Sequence, residues 1–554
     1  MATRPTAATS ATFVRPRANG RGSASTGTAP RPASTSLVCL AACSIAALLT
    51  CGCTGPREYV HNGFKVGPNY CQPGAPVADT WIDAADKRVR TNSEDLSQWW
   101  RVFNDPVLNT LVRDAYGQNL TLREAGFRVL ASRAQLAVTI GKILPQAQFA
   151  SGNFTQTTIS KETANNILGL QALGIPGVQR NFGQWDYGFN IGWELDFWGR
   201  FRRAIESDEA NLGASVANYD DVLVTLLGDV ATNYVQLRTL EQQIAYAHYN
   251  VELQQQTLTI VDARFHAGTT SELDVHQSRS TLAQTEAQIP ELEITLRETA
   301  NRLCILLGIP PEDLHARLGT VPIPTAPPEV AVGIPADLLR RRPDIRRAER
   351  TAAAQSAQIG VAEADFYPAI SIVGTIGYSA EQFSQLFRSA AFDGTIGPSF
   401  QWKILNYGRI KNNVRVQNAK FQELVTNYQQ TVLNANGEVE NGLVTFLRAQ
   451  VRTKFQSESV DRAQKAVSLG LVQYKAGTVD FTRITQLEQN LVLQQNTLAQ
   501  ARGEIAQGLI QVYRALGGGW EIRNTGLSPV EEGTIENGAP PPAPPVVASF
   551  HPAS

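Results

Sequence analysis

The stretch WDYGFNIGWELDFW, residues 185–198, alternates almost without error. Trp185, Tyr187, Phe189, Ile191, Trp193, Leu195 and Phe197 fall on one side, and Asp186, Gly188, Asn190, Gly192, Glu194 and Asp196 on the other. Side chains on a strand point to opposite faces with a period of two, so the segment predicts a strand with one aromatic and one wet face. In a soluble sandwich a second sheet would cover the aromatic face. In a bilayer, lipid would cover it and the polar face would line an interior.

The pattern occurs twice in a chain that repeats itself. Trp193 and Gly199-Arg200 match Trp402 and Gly408-Arg409; Ala267-Gly268-Thr269 matches Ala476-Gly477-Thr478; Gln277 matches Gln486; Leu307-Gly308 matches Leu516-Gly517, all at an offset of 209. Upstream, LTLREA (120–125) pairs with PDIRRA (343–348), and Gln135 and Pro145 with Gln358 and Pro368, at an offset of 223. The extra chain of the first copy therefore lies between Pro145 and Trp193. Each copy reads as a helical segment (about 106–141; about 343–365), a strand pair and a long helix hairpin. The strands are expected at 147–159 and 185–197, then at 369–380 and 395–405. Ile396, Phe400, Trp402 and Ile404 share one face of the last strand, opposite Gly397, Ser399, Gln401 and Lys403.

After each second strand comes a very long helix. Positions 226, 230, 233, 237, 240, 244, 247, 251, 254, 258, 261 and 265 step by four and three, which predicts a coiled-coil seam interrupted by Asn233 and Gln254. In the second copy the seam takes Val439, Phe446, Val460, Val467 and Tyr474, with small Ala435, Gly442, Ala449 and Ala463 alongside. HAGTTSELDV and KAGTVDFTRI then end both helices. Gly268 and Gly477 suit left-handed C-caps, and Ser271 and Asp480 suit N-caps of the returning helices.

Four strands of about ten residues suit a tilted barrel wall, yet closed barrels begin at about eight strands. One chain cannot close its own edges, and open edges are not tolerated in lipid. If these strands span a membrane, several protomers must share one barrel. Asp186, Asn190, Glu194, Ser399 and Lys403 would then face a wet lumen, and Trp185, Tyr187, Phe189, Trp193, Phe197, Phe400 and Trp402 would face lipid.

The 554 residues carry a net charge of −1 with 18% charged side chains, so no basic field argues for nucleic acid. The apolar run LVCLAACSIAALLT (37–50) is too short to span a bilayer and reads as the h-region of a secretory signal. CGCTGP follows it and resembles a bacterial lipoprotein processing site, with Gly52 before Cys53; Cys51 is the alternative lipidated residue. Cys71 and Cys304 form neither a disulfide framework nor a CxxC metal knuckle, and Cys304 in NRLCILLG reads as a small buried helix residue.

The duplicated plan resembles the outer-membrane efflux duct family, TolC-like, in its lipoprotein branch serving tripartite multidrug systems. FKVGPNYCQPGAPV (64–77), IPADLLRRRPDIRRAE (334–349) and RFHAGTTSELDV (264–275) carry the match. The resemblance implies a mixed fold, a membrane β-barrel plus a long α-helical coiled-coil barrel, with four strands per chain in a shared trimeric 12-stranded barrel. It implies a homotrimer in the bacterial outer membrane, lipid-anchored and extending into the periplasm, with a periplasmic adaptor protein and an inner-membrane efflux pump as partners. No cofactor beyond the covalent lipid is expected. By position, Gly268, Asp274, Gly477, Asp480, Arg483 and Gln486 would form the periplasmic tip and aperture. Gln486 stands where the family often has an acid, which argues against an acidic gate ring. In LLRRRPDI, Pro343 is expected to start a helix while Arg340 to Arg342 stay solvated.

The implied layout is a signal segment (1–52), a lipid-anchored segment (53–105), the first repeat (106–310), a Pro-rich linker (311–335), the second repeat (336–520) and a Pro-rich disordered tail (521–554). Enzyme motifs are missing: the six His form no HExxH, GxxxxGK[ST] is absent, and GYSAE (377–381) lacks the last Gly of a nucleophile elbow. No catalytic or metal-binding residues are expected. The competing readings are a duct for protein secretion and, from a different class, a soluble coiled-coil scaffold.

Overall fold

The computed structural model describes residues 55–92, 94–159 and 181–526. The lipidation candidates Cys51 and Cys53, the signal segment and the tail beyond Gly526 lie outside them.

The first repeat opens with α1 (Pro106–Gln118) and α2 (Leu120–Gly141). The single helix expected over 106–141 is broken at Asn119, whose extended backbone ends α1 while its Oδ1 accepts the Leu122 N–H at 2.8 Å and caps α2. Its Nδ2 donates to the Leu306 carbonyl at 2.8 Å, tying the break to the far end of the repeat. Strands β1 (Ala147–Thr158) and β2 (Asn181–Leu195) follow, then α3 (Arg200–His266) and α4 (Glu272–Leu307). The second repeat supplies α5 (Pro343–Ala364), β3 (Ala369–Ala380), β4 (Phe392–Gln401), α6 (Arg409–Lys475) and α7 (Phe481–Ala515). The duplication is kept at the level of element length. Helices α2 and α5 are both 22 residues long, and α3 and α6 both 67, about 100 Å each.

The four long strands form one antiparallel sheet in the order β1-β2-β3-β4. Its second strands start earlier and stop earlier than expected, at Asn181–Leu195 rather than 185–197 and at Phe392–Gln401 rather than 395–405. Asp196 explains the first stop. Its carboxylate accepts the Phe201 and Arg202 N–H groups at 2.9 and 3.0 Å, so the chain leaves the sheet to cap α3. Phe197, Trp402 and Lys403 therefore lie just outside the strands.

Helix α3 packs between α4 and α7, and α7 packs against α6, leaving α4 and α6 outermost. The main core sits at the middle of α3 and α6, where the C-terminal ends of α4 and α7 meet them. It joins Leu223 to Val235 on α3, Leu303 to Leu307 on α4, Tyr428 to Leu447 on α6 and Ala506 to Leu516 on α7. Trp99, Trp100 and Phe103 of the N-terminal segment fill it, stacked against Tyr513 through Trp99 at 5.6 Å. The linker is no free tether: Leu314 and Leu318 are buried in this core, and Val330-Ala331 pairs in parallel with Val89-Arg90. Order also runs past Trp520, where the tail was expected to begin. Ile522 is buried and Arg523 donates to Asp220 at 2.7 Å.

The coiled-coil expectation holds for α6 and holds in half of its positions on distal α3, where Leu240, Ala247, Gln254 and Val261 are buried. Val439, Phe446, Val460, Val467 and Tyr474 are buried, and Gly442 lies so close to Val512 that an added Cβ would stand 3.1 Å from its backbone nitrogen. On α3, Ile244, Val251 and Leu258 are only half-buried and Phe265 is exposed. The buried stripe is Leu240, Gln243, Ala247, Asn250, Gln254, Thr257 and Val261. A helix flanked by two neighbours carries two stripes, and periodicity alone selects the more apolar one.

Candidate functional site

Paired residues in an antiparallel ladder share a face, so the register sorts every side chain of the sheet. The rows Phe154–Trp185–Ala380, Tyr187–Tyr378–Phe392, Phe189–Ile376, Ile191–Ile396, Trp193–Ile372–Pro398 and Leu195–Ile370–Phe400 lie on one face. The other face carries Asn153–Asp186–Ser379, Ser151–Asp393, Phe149–Asn190–Thr375–Thr395 and Glu194–Ser371–Ser399. The aromatic residues singled out in the strands thus share a surface with the apolar residues of the second copy. Phe189, Ile376, Phe392, Ile396 and Phe400 are exposed on it.

Two tryptophans mark the inner rim. Trp193 donates its indole N–H to the Ile143 carbonyl at 2.8 Å, and Trp402 donates to the Phe366 carbonyl at 2.9 Å. The acceptors are related by the same 223-residue offset as α2 and α5, so the repeat conserves the bond as well as the ring. Their rings are positioned amphipathically, apolar body outward and polar atom at the sheet–helix junction.

On the polar face Asp186 accepts from Gln184 at 2.7 Å and Ser379 at 2.8 Å, and Asn190 donates to Ser151 at 3.1 Å. At its lower end the charges form a chain: Glu194 to Arg200 (3.6 Å), Arg200 to Asp365 (3.8 Å), Asp365 to Lys403 (3.5 Å).

At the far ends of the long helices the two turns are built alike. Gly268 and Gly477 have φ of +71° and +74°; Gly268 N–H bonds the Phe265 carbonyl and Thr269 N–H that of Arg264, and Gly477 and Thr478 repeat this with Tyr474 and Gln473. Ser271 and Asp274 form a reciprocal capping box, and Asp274 also accepts the Thr270 hydroxyl. Asp480 caps α7 by accepting the Arg483 N–H at 2.9 Å. Arg483 and Gln486 point outward, exposed. Val261, Val275, Tyr474, Phe481 and Ile484 pack the two turns side by side. Sequence reasoning missed the contact that locks them: the Arg264 guanidinium donates to the Tyr474 carbonyl and lies 4.5 Å over its ring. Tyr474, a seam aromatic one turn before the Gly, was the available signal.

Behind the turns the α3–α7 seam is polar. Asn250 donates to Gln495 at 2.6 Å and Thr257 to Glu488 at 2.5 Å, while both amide atoms of buried Gln254 lack a protein partner. Burial pushes the Glu488 carboxyl up to about 7, against a smaller lowering by the Thr257 hydroxyl. Among the described residues, no group of three or more His, Cys, Asp or Glu could hold a metal ion.

The two remaining motifs are structural. VGPNY at 66–70 wraps the start of α3, where Arg203 donates to the Val66 and Gly67 carbonyls at 3.0 and 2.7 Å. In the RRRPDIRR stretch Arg342 is buried rather than solvated, bonded to the Ala515 carbonyl and to Asp344, both at 2.7 Å. Arg346 reaches buried Asp220 at 2.5 Å and lies 4.3 Å over Trp520. The motif pins the second repeat to the end of α7.

A duplicated strand pair and helix hairpin with these turns has counterparts among known proteins. The family profile described as "Outer membrane efflux protein" matches residues 111–309 and 334–518, one stretch in each repeat. The chain belongs to that family. It is 30% identical over 433 residues to the pyoverdine export outer membrane protein OpmQ of Pseudomonas putida, covering 76% of this chain and 88% of that protein. It is 27% identical to the probable outer membrane lipoprotein SilC of Salmonella typhimurium, covering 82% and 95%. Among solved structures the outer-membrane channel OprN superposes with a TM-score of 0.75 at 32% identity, covering 82% of this chain and 99% of that one. As a member of the outer membrane efflux protein family, the chain is the outer-membrane channel component of an efflux system.

Proposed function

We propose that three copies of this chain form one duct, with twelve strands closed into a barrel in the outer membrane and the helix hairpins closed into a tube through the periplasm. One observation carries this reading: the sheet has two unpaired edges, β1 and β4, and an exposed apolar face. Neither is stable in lipid unless neighbouring copies pair the edges. The outermost helices ask for the same neighbours, because Leu273, Ile294 and Ile305 on α4 and Leu433, Val444, Phe455 and Leu469 on α6 are exposed.

In this assembly Phe189, Trp193, Phe400 and Trp402 face hydrocarbon and its inner rim, with Phe197 beside them, and Trp185 and Tyr187 lie at the outer end of the same face under the rings of Phe383 and Phe387. Asp186, Asn190, Glu194, Ser399 and Lys403 face the wet lumen. The turns around Gly268 and Gly477 form the periplasmic aperture and meet an adaptor, which couples the duct to an inner-membrane pump. Cys53, or Cys51, carries the lipid. The chain supports that anchor by docking Tyr59 at the foot of β2, where its hydroxyl bonds the Phe197 carbonyl at 2.7 Å. Transport needs no bond chemistry from this chain. A wide water-filled passage excludes little, so the substrates are those the pump delivers. A relative named for pyoverdine export favours small molecules over protein secretion.

Deletion of the gene, followed by a panel of toxic compounds with intracellular accumulation as readout, tests this. Accumulation should rise for several unrelated compounds and return to normal on complementation; unchanged accumulation across the panel overturns the efflux reading.

A further inference from the structure

The segment joining β3 to β4, residues 381–391, looks by position like a loop in the external medium. It does not stand away from the sheet. Two short 3-10 turns, Phe383–Gln385 and Ser389–Ala391, fold it back over the apolar face. Phe383 packs edge-on to Trp185 at 5.2 Å, and Phe387 packs on Tyr187 at 6.1 Å and Tyr378 at 6.2 Å. The two loop rings meet at 6.2 Å, and Tyr378 continues the cluster to Phe392 at 5.9 Å. Leu386 is 3% exposed, whereas Phe383 is 58% and Phe387 65% exposed. The loop is a wedge, pinned inward by Leu386 and turning two aromatic rings outward. Within it, the main-chain N–H groups of Gln385, Leu386, Arg388 and Ala391 donate to the carbonyls of Gln382, Phe383, Gln385 and Arg388.

We infer that this loop anchors at the outer leaflet of the outer membrane through Phe383 and Phe387, whose rings contact the acyl chains. The inference rests on the membrane-spanning reading of the sheet. Continuity and height support it. The loop overlies the two outermost rows of the apolar face, those of Trp185 and Tyr187. Below it, the bare rows run from Phe189 to Leu195, roughly 14 Å of height for a strand tilted about 45°. Counting the rows that the loop covers, Trp185 to Leu195 gives roughly 24 Å, close to the ~25 Å apolar band of such a barrel. Above Trp185 the same face turns to Gly183, Gln156 and Thr158, which offer hydrocarbon nothing. The band reaches its height only if the rings of the loop replace those they cover.

Nitroxide labels at Phe383→Cys and Phe387→Cys test this in liposomes, in a Cys71→Ser background because Cys71 is an exposed free thiol. Phe189→Cys serves as the sheet reference and Gln486→Cys as the aqueous one. Retention of SDS-resistant mobility before boiling shows that each variant still assembles. The account expects the oxygen-to-nickel accessibility ratio at 383 and 387 to shift to the value at 189 and away from that at 486. A ratio at 387 equal to that at 486, with 189 still favouring oxygen, overturns the inference alone. Labels at 383 and 387 shielded from both reagents would mean that protein covers the loop, and also overturn it. Nickel access at 189 as well overturns the membrane reading together with the inference.

Discussion

Trp193 and Trp402 show how one residue type serves two environments at one rim. Each exposes ring surface on the apolar face and donates its indole N–H to a carbonyl at the end of the preceding helix. Replacing either by Phe keeps most of the ring and orphans the acceptor, so each change should cost about 1 kcal/mol in denaturant unfolding, and the pair should be additive. Glu488 makes the opposite case, a carboxyl that the fold holds at a cost. Burial raises it to about 7, above the ordinary glutamate range. The native state therefore binds its proton more tightly than the unfolded chain does. The penalty is absent below about pH 4.5, grows as pH rises towards 7 and is complete above it, at roughly 3 kcal/mol. Glu488→Gln should raise stability at pH 8, leave it nearly unchanged at pH 4 and flatten the pH profile between 4.5 and 7. A profile identical to that of the wild type would refute the assignment. Gly268 is simpler: with φ of +71° and no atom within 4 Å of an added Cβ, Gly268→Ala should cost about 1 kcal/mol through backbone strain alone, read as a lower thermal midpoint.

At the scale of elements, the helices and strands were legible because each announces itself with its own period. The aromatic alternation around Trp193 marked a strand in both copies, and the glycines at 268 and 477 marked both hairpin turns. Ends were less legible, because they are set by contacts: Asp196 ends β2 by capping α3, and Asn119 splits a helix by bonding Leu306. One row of the distal α3 seam was misread for the same reason. Ile244, Val251 and Leu258 are its most apolar stripe, yet Asn250, Gln254 and Thr257 are buried and face partners on α7 or none at all. An orphaned buried amide is costly, so Gln254→Leu should stabilise the hairpin pair by roughly 1–3 kcal/mol, seen as a raised denaturation midpoint. Toward the middle of α3, Leu227, Val230 and Tyr234 are fully buried and the seam is mainly apolar. One helix pair is thus joined by different physics along its length, mainly apolar at the middle of α3 and hydrogen-bonded nearer the turns.

At the scale of the whole molecule, the chain is open at its edges. Its duplicated halves give a sheet with two open edges and a helix layer whose outer members expose apolar stripes. The duplication could be read directly from matched residues, and from it one strand pair and one long helix hairpin in each half. The anchoring of the linker and of Arg342 could not, since a Pro-rich or Arg-rich stretch looks the same whether it wraps a core or floats. The central claim is that copies of the chain complete one another edge to edge. Single cysteines placed in pairs along β1 and β4, in a Cys71→Ser background, test it most directly through oxidative cross-linking in intact membranes. The account predicts a ladder of one, two and three chains that stops at three, at the subset of pairs whose register matches; monomers alone at every pair, or a ladder continuing past three, would contradict it.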